Sequence, residues 1–416
     1  MDQLQVIVES PGDALVDAIK EKLESLSSLS SKCCIYRVPE RLRRLNPEAY
    51  SPRVVSIGPL HHGKEELQAM EEHKLRYMQS FIYRTSLSIE ELVQVVRTWE
   101  EKARDCYTET LELSSDDFVK MLIVDGSFVV EFILRCRYPN LTGENDRIVK
   151  RPSMTSDVFR DMILLENQLP GFVVKDTFGL LSDHYLEQIQ PFPESIQHHF
   201  RGLLPNICTS EADHFVDLLR CSCLPSIPRI SERHKMNLYS APSATELNAA
   251  GVRLELEKNN MSSLDIKFAN GVLTIPPIIV DDFTETMYRN IIAFEQCHCW
   301  DKHFSEYAGL LSCFMQSSTD VELLVHRGIL RNNIGNGQNV SKMFENITKE
   351  ILIGGTYYYE TLSDNLQAYC RSPWNKWKAT LRRDYFRNPW SIASVLAAIT
   401  LLLLTLIQVV CSILAL

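Results

Sequence analysis

The closing 26 residues, Ser391 to Leu416, contain no charged side chain and read SIASVLAAITLLLLTLIQVVCSILAL. Fifteen of the 26 are Leu, Ile or Val. A helix of this length runs about 39 Å at ~1.5 Å per residue, enough to cross a hydrocarbon core about 30 Å thick with some tilt. Each Leu, Ile or Val near the bilayer centre contributes roughly −0.3 to −0.6 kcal/mol, which outweighs Gln408 and the few hydroxyls. The competing reading is a buried helix of a large globular core. Length, absence of charge and terminal position favour a membrane-spanning helix.

The approach to this segment has the composition of a membrane interface. Asn388 suits an N-cap, and Pro389 suits the first helical position, where a missing N–H is no loss. Trp390 is expected at headgroup depth, with Trp374 and Trp377 a short amphipathic stretch upstream. Between the tryptophans lie Lys376, Lys378, Arg382, Arg383 and Arg387, opposed by Asp384, in a chain whose formal net charge is −10. Basic residues beside a span stay cytosolic and attract anionic lipid heads. The expectation is therefore a cytosolic body, Leu416 on the far side, and membrane lipid as a partner. The first 20 residues show no basic region followed by an apolar signal core, which fits a tail-anchored protein. The span's length slightly favours the plasma membrane over the endoplasmic reticulum. Sequons at Asn140, Asn260, Asn339 and Asn346 would be glycosylated only in the reversed orientation. Ala393/Ala397 and Ser394/Ala398 are spaced for close helix contact, so a homo-oligomer through the anchor stands beside the simpler reading that they face lipid.

An apolar content of 45% over the whole chain is normal for a protein with a globular body. The acidic balance argues against nucleic acid as a partner. Twelve cysteines include no Cys-x-x-Cys pair, so zinc spacing is absent and neither metal nor cofactor is expected; Cys106, Cys136, Cys313 and Cys370 read as reduced core residues. Apolar periodicity predicts helices over 14–29, 64–84, 88–111, 115–135, 156–167, 176–188, 285–297, 304–315, 320–326, 340–350 and 362–386. A Pro- and Ser-rich run at about 223–242 reads as a loop or linker. Alternation over 252–256, then 264–268 and 272–275 around Asn270-Gly271, predicts a three-stranded insert with a tight hairpin. The fold class is thus mainly α: an N-terminal extension (1–32), a large helical domain (33–388) with a small three-stranded β insert at about 252–275, and one C-terminal transmembrane helix (389–416).

Two stretches resemble chemical sites. Gly58-Pro59-Leu60-His61-His62-Gly63-Lys64-Glu65 has the Gly-x4-Gly-Lys frame of a phosphate loop. Glu65, however, stands where a Mg²⁺-binding hydroxyl belongs, and Pro59 removes a backbone donor. A turn is the better reading, and His61 and His62 are read as surface or loop histidines. Glu166, Asn167 and Gln168, before Pro170-Gly171, could serve a site; residues so placed more often hydrogen-bond loop backbone, and Glu295 is read the same way.

Taken together, IYRVPERL (35–42), YSPRVVSIGPLHHG (50–63), MEEHKLRYM (70–78), DGSFVVEF (125–132), DMILLENQLPGFVV (161–174), SATELNAAGV (243–252), LDIKFANGVLTIPP (264–277), RNIIAFEQC (289–297) and RDYFRNPW (383–390) resemble a plant family catalogued as domain of unknown function 247, or UPF0481. The resemblance covers about residues 33–416. It implies a plant protein with one C-terminal transmembrane helix and no general enzymatic activity. Some grass members are associated with self-incompatibility, which implies a recognition role. The resulting expectation is a non-enzymatic, membrane-anchored protein that binds an unknown protein partner; the alternative is a membrane-associated hydrolase or nucleotide-binding enzyme.

Overall fold

A computed structural model describes residues 11–24, 30–189, 212–225, 241–258, 262–352, 357–375, 377 and 389–414. Its helices are α1 (Pro11–Glu24), α2 (Gln68–Thr85), α3 (Ile89–Arg97), α4 (Ser115–Arg137), α5 (Pro152–Met162), α6 (Gly171–Gly179), α7 (Phe215–Cys223) and α8 (Ala244–Ala249). Strands β1 (Arg253–Leu256), β2 (Lys267–Ala269), β3 (Val272–Ile275) and β4 (Ile278–Val280) follow. Then come α9 (Thr284–His298), α10 (His303–Phe314), α11 (Ser318–His326), β5 (Leu330–Asn332), α12 (Gly337–Ile347), α13 (Glu360–Arg371) and α14 (Pro389–Leu414).

The first half is organised around α4. Ser114 caps it by accepting from the Asp117 amide at 3.1 Å, and Asp116 and Asp117 complement the dipole of the first turn. Every residue from Met121 to Arg135 is buried, so α4 is wrapped on all sides rather than on one stripe. It packs on α2, α3 and α6. Gly126 lets α6 approach closely, since a β-carbon there would sit 3.0 Å from Thr177 Oγ1.

In the second half, α9, α10, α11 and α12 pack together. Ser317 and Asp320 form a capping box at the start of α11. The Asp320 carboxylate also accepts from the amide (2.8 Å) and hydroxyl (2.7 Å) of Thr245, tying α11 to α8. Buried apolar side chains from Cys34 to Leu366 form one connected cluster.

The insert is a three-stranded sheet in the order β1-β3-β2. Its β2–β3 hairpin turns at Asn270 (φ 51°) and Gly271 (φ 73°), both left-handed, as a tight hairpin turn requires. β1 runs parallel to β3, with Arg253 opposite Val272 and Leu256 opposite Ile275.

Several elements depart from the sequence expectations. Pro276-Pro277 does not end strand structure: β4 follows at once and pairs in parallel with β5, some 50 residues on. The helix expected over 88–111 stops at Arg97, resumes for one turn at Glu100–Arg104, and gives way to an extended stretch where Tyr107 bridges Ile35. The helix expected over 156–167 spans Pro152–Met162, and 163–170 is a turn. The one expected over 176–188 is two pieces, α6 and Asp183–Leu186. Most of the expected 223–242 loop, the 372–386 end of the last body helix beyond Trp377, and Asn260 lie outside the described residues.

α14 is the apolar C-terminal helix that the sequence predicts. Of its 26 residues none is charged, and every side chain described, including those of Leu401–Leu404, is exposed. It is the one helix among the described residues long and apolar enough to cross a membrane.

Candidate functional site

The segment from Cys33 to Gly63 contains little regular structure, yet much of it is buried. Its backbone N–H and C=O groups therefore need partners from elsewhere. Side chains supply them. Asp161, at the end of α5, accepts from the amides of Arg53 (2.9 Å), Val54 (2.7 Å) and Val55 (3.0 Å). Asn167 accepts from Ile57 N (2.9 Å) and donates to Val55 O (3.0 Å). Glu166 accepts from Val38 N at 2.6 Å, and Asn290 on α9 donates to Ala49 O at 2.8 Å. Gln168 braces its own turn by donating to Met162 O (2.6 Å) and Leu164 O (2.8 Å), and accepts from Phe215 N (3.0 Å). Glu166, Asn167 and Gln168 are all buried. The amides of Asn167 and Gln168 are spent on backbone, whereas the Glu166 carboxylate also takes side-chain partners. Glu295 behaves likewise, accepting from Phe304 N (3.0 Å) and Ser305 N (2.7 Å) with Arg220 alongside at 3.2 Å.

Gly58 lies at the centre of this lattice. Its φ of +78° is left-handed, and an added β-carbon would stand 2.3 Å from Gln168 O. Its amide donates to Asp125 Oδ2 at 2.8 Å, and Asp125 is paired with the buried Lys74, which also donates to Ser56 O at 3.0 Å. A phosphate loop needs that amide free; here it faces a carboxylate. Lys64 and Gly63 are exposed, and Pro59–His61 is a 3-10 turn rather than the entry to a helix. The geometry is that of a buried reversal, not of an anion cradle.

His61 lies in a turn, as expected of a loop histidine, but not at the surface. It is 3% exposed, with Nε2 3.6 Å from Glu166 Oε2 and neither ring nitrogen hydrogen-bonded within the protein. Burial, with the nearby cations of Lys64, Arg37 and Arg43, pulls it down to about 3, so the ring is neutral. His62 is exposed. The Glu166 carboxylate is balanced by Arg43 and, at 4.0 Å, by Arg37, which makes a second pair with Glu109 at 2.7 Å.

Beyond Arg37 the segment enters a thiol- and imidazole-rich junction that spacing alone did not reveal. Tyr36 Oη and His298 Nδ1 are 2.9 Å apart, and His298 Nε2 is 3.7 Å from Asp213 Oδ2. His298 stacks on Phe294, with ring centroids 5.0 Å apart. His214 reaches Cys34 O through Nε2 at 3.1 Å and caps α7 through Nδ1. Cys33, Cys34 and Cys106 lie alongside. The Tyr–His–Asp order has the outline of a relay. Burial and the adjacent Cys33 push the Tyr36 hydroxyl up, which makes it a poor nucleophile near neutrality. Among the described residues no group of three His, Cys, Asp or Glu side chains is arranged to hold a metal.

Of the expected membrane-interface residues, Trp374 and Trp377 are exposed, with ring centroids 5.3 Å apart, and Trp390 falls in the first turn of α14. Lys376, Lys378, Arg382, Arg383 and Arg387 lie outside the described residues.

These features define a mainly helical protein with a side-chain-braced N-terminal segment and one exposed apolar tail helix. The family described as a plant protein of unknown function, DUF247, matches residues 35–404, and the chain belongs to it. UPF0481 protein At3g47200 of Arabidopsis thaliana is 29% identical, over 94% of this chain and 88% of the relative. Putative UPF0481 protein At3g02645, also of Arabidopsis thaliana, is 23% identical, over 90% of this chain and 89% of the relative. Neither name states an activity. No solved structure matches.

Proposed function

We propose that this chain is a non-enzymatic, single-pass membrane protein whose helical body recognises another protein at the membrane surface, in the manner of a signalling or self-incompatibility-type determinant. The observation that carries the reading is α14, whose described apolar side chains are all exposed and require hydrocarbon or a partner to cover them. The inward-turned motif residues support it: Asp125, Asp161, Glu166, Asn167 and Gln168 brace backbone instead of converging on an open cleft. The basic residues of 376–387 support a cytosolic body at the plasma membrane, the endoplasmic reticulum being the alternative. Confinement to a plane raises the effective concentration of the body near membrane-bound partners, and the small residues of α14 allow pairing with a second copy.

Protease protection of terminal tags in intact plant membranes tests sidedness. The reading expects the N-terminal tag to be digested on the cytosolic face and the C-terminal tag to be protected. Proximity labelling with the anchored protein, against one lacking 389–416, should return a membrane partner that depends on the anchor. The same neighbours with and without the anchor would overturn the proposal.

A further inference from the structure

α1 (Pro11–Glu24) stands clear of the body: every residue from Leu15 to Leu23 is exposed. An isolated helix of 14 residues is marginal in water, because few hydrogen bonds repay the cost of nucleation. Such a helix persists when one face finds a surface to cover it, and here that face is well defined. At about 100° per residue, Leu15, Ile19, Leu23 and Val16 fall within an arc of about 100°. They are 63%, 50%, 62% and 46% exposed. The charges are sorted around that arc. Lys22 lies about 20° beyond its Leu15 edge and Lys20 about 40° beyond its Val16 edge, whereas Asp17 and Glu21 lie about 150° and 170° from its centre, on the opposite side. We propose that α1 lies flat on a lipid surface, its four apolar side chains among the upper acyl chains and Lys20 and Lys22 at the level of the headgroups.

Each part of the pattern fits a lipid–water boundary. An interfacial helix buries its apolar face roughly 5–10 Å deep, at the junction of headgroups and acyl chains. Lysines at the margin of that face lay their methylene stems along apolar surface and carry their ammonium groups out to water and phosphate. Acids belong on the side turned to solvent. Lys20 also lies 3.9 Å from Asp17, an exposed pairing worth too little to hold the lysine back. The sequence of α1 holds four acids and two lysines, so its attraction is to the apolar layer and not to anionic headgroups, and it suits a zwitterionic surface. A second copy of α1 is the weaker occupant. Val16, Ile19 and Leu23 fit a heptad seam, but Leu15 falls outside it, and so few seam residues stand against the roughly 20–30 residues per side of a standard interface. The inference goes beyond the membrane reading of α14 and rests on it only for the nearness of a bilayer.

The test uses the full chain with phosphatidylcholine vesicles, the photoreactive p-benzoylphenylalanine replacing either Ile19 or, as the control, Glu21. Both positions are exposed, so neither replacement disturbs the body. Irradiation followed by mass spectrometry of the α1 peptide reads what each face touches. Lipid adducts should form at position 19 and not at position 21, and should not increase when phosphatidylserine is added. Leu15→Glu with Leu23→Glu should abolish them. Lys20→Glu with Lys22→Glu should reduce them, and Lys20→Arg with Lys22→Arg should retain them. Adducts from position 19 to the body or to a second copy, or equal lipid labelling at 19 and 21, would overturn the proposal. Vesicle flotation reads the insertion of α14 separately. A chain that floats without lipid adducts at position 19 rejects this inference alone, and a chain that labels lipid at position 19 without floating supports it while rejecting the membrane reading of α14.

Discussion

Gly58 and Gln168 meet backbone to backbone: the α-hydrogen side of Gly58 faces the Gln168 carbonyl so closely that a β-carbon would stand 2.3 Å from the oxygen. The contact joins residues more than a hundred apart in sequence and holds the buried reversal against the 163–170 turn. Gly58→Ala combines a positive-φ penalty with a backbone clash that no rotamer relieves. The expected cost is about 3 kcal/mol or more, read as a large fall in melting temperature or loss of folded protein. Gly63 shares the sign of φ but has nothing within 4 Å, so Gly63→Ala should cost only about 1–2 kcal/mol. Equal effects in a thermal-shift comparison would contradict the packing described for Gly58.

Lys74 and Asp125 form a buried ion pair beneath Gly58. Lys74→Met leaves Asp125 without its cation and should destabilise by about 3–5 kcal/mol. The double variant Lys74→Met with Asp125→Leu removes both charges and should recover part of that loss, although the Gly58 amide then lacks its acceptor. Denaturant titration of the two variants measures the difference; a double variant weaker than the single one would show that the pair is not the unit described.

Two buried groups give stability an opposed dependence on pH. The neutral His61, pulled down to about 3 from 6.5, is unprotonated in the folded state where the unfolded chain binds a proton. Its contribution is complete above pH 6.5 and is lost as pH falls toward about 3. Glu306, pushed up to about 8 by burial and the neighbouring carboxyls of Glu295 and Asp301, keeps its proton in the folded state while the unfolded chain, at 4.5, has released it. Stability from this group is complete below pH 4.5 and falls as pH rises to about 8. Each limb has a slope of at most about 1.4 kcal/mol per pH unit. Melting temperature against pH should lose part of its acid limb in His61→Phe and part of its alkaline limb in Glu306→Gln. An unchanged profile in either variant would show that the group is not held in the stated protonation state.

A single cation at the middle of α14 tests the anchor. Leu403 is exposed on that helix, and an Arg there costs roughly 2.5–3.5 kcal/mol of insertion free energy at the bilayer centre. Leu403→Arg should shift the protein toward the fraction released by alkaline carbonate, while Leu403→Ile should remain in the pellet. Release of the wild-type chain by carbonate would remove the membrane reading altogether.

Much of this architecture was legible wherever the signal is local. The Asn270-Gly271 hairpin follows from two residues that tolerate positive φ, and α4 follows from Ser114, its acidic first turn and a long apolar run. The apolar tail helix needs nothing beyond its own composition. What escaped depends on distant partners. The sequence 278–280 pairs with 330–332, and nothing near Pro276-Pro277 signals it. His61 is buried against Glu166, more than a hundred residues on, with Arg37 and Arg43 of its own segment nearby. Glu166, Asn167 and Gln168 stood out as polar residues in an apolar run, but their acceptors and donors in 38–57 and at Phe215 could not be read from spacing. The neighbours Cys34 and Cys106 share no motif; only the Ile35–Tyr107 bridge brings them together.

The hydrogen bonds that satisfy residues 38–58 come largely from side chains at 125, 161, 166, 167 and 290. On the ribosome this imposes a timetable. The opening segment leaves the exit tunnel long before Asn290 is synthesised and must wait, with unpaired amides and uncovered apolar side chains, for helpers encoded far downstream. The nascent chain should therefore depend on chaperones through most of its translation. Its body closes only shortly before the apolar tail helix itself emerges, so covering the first exposed apolar surface and presenting the last are compressed into the same brief interval.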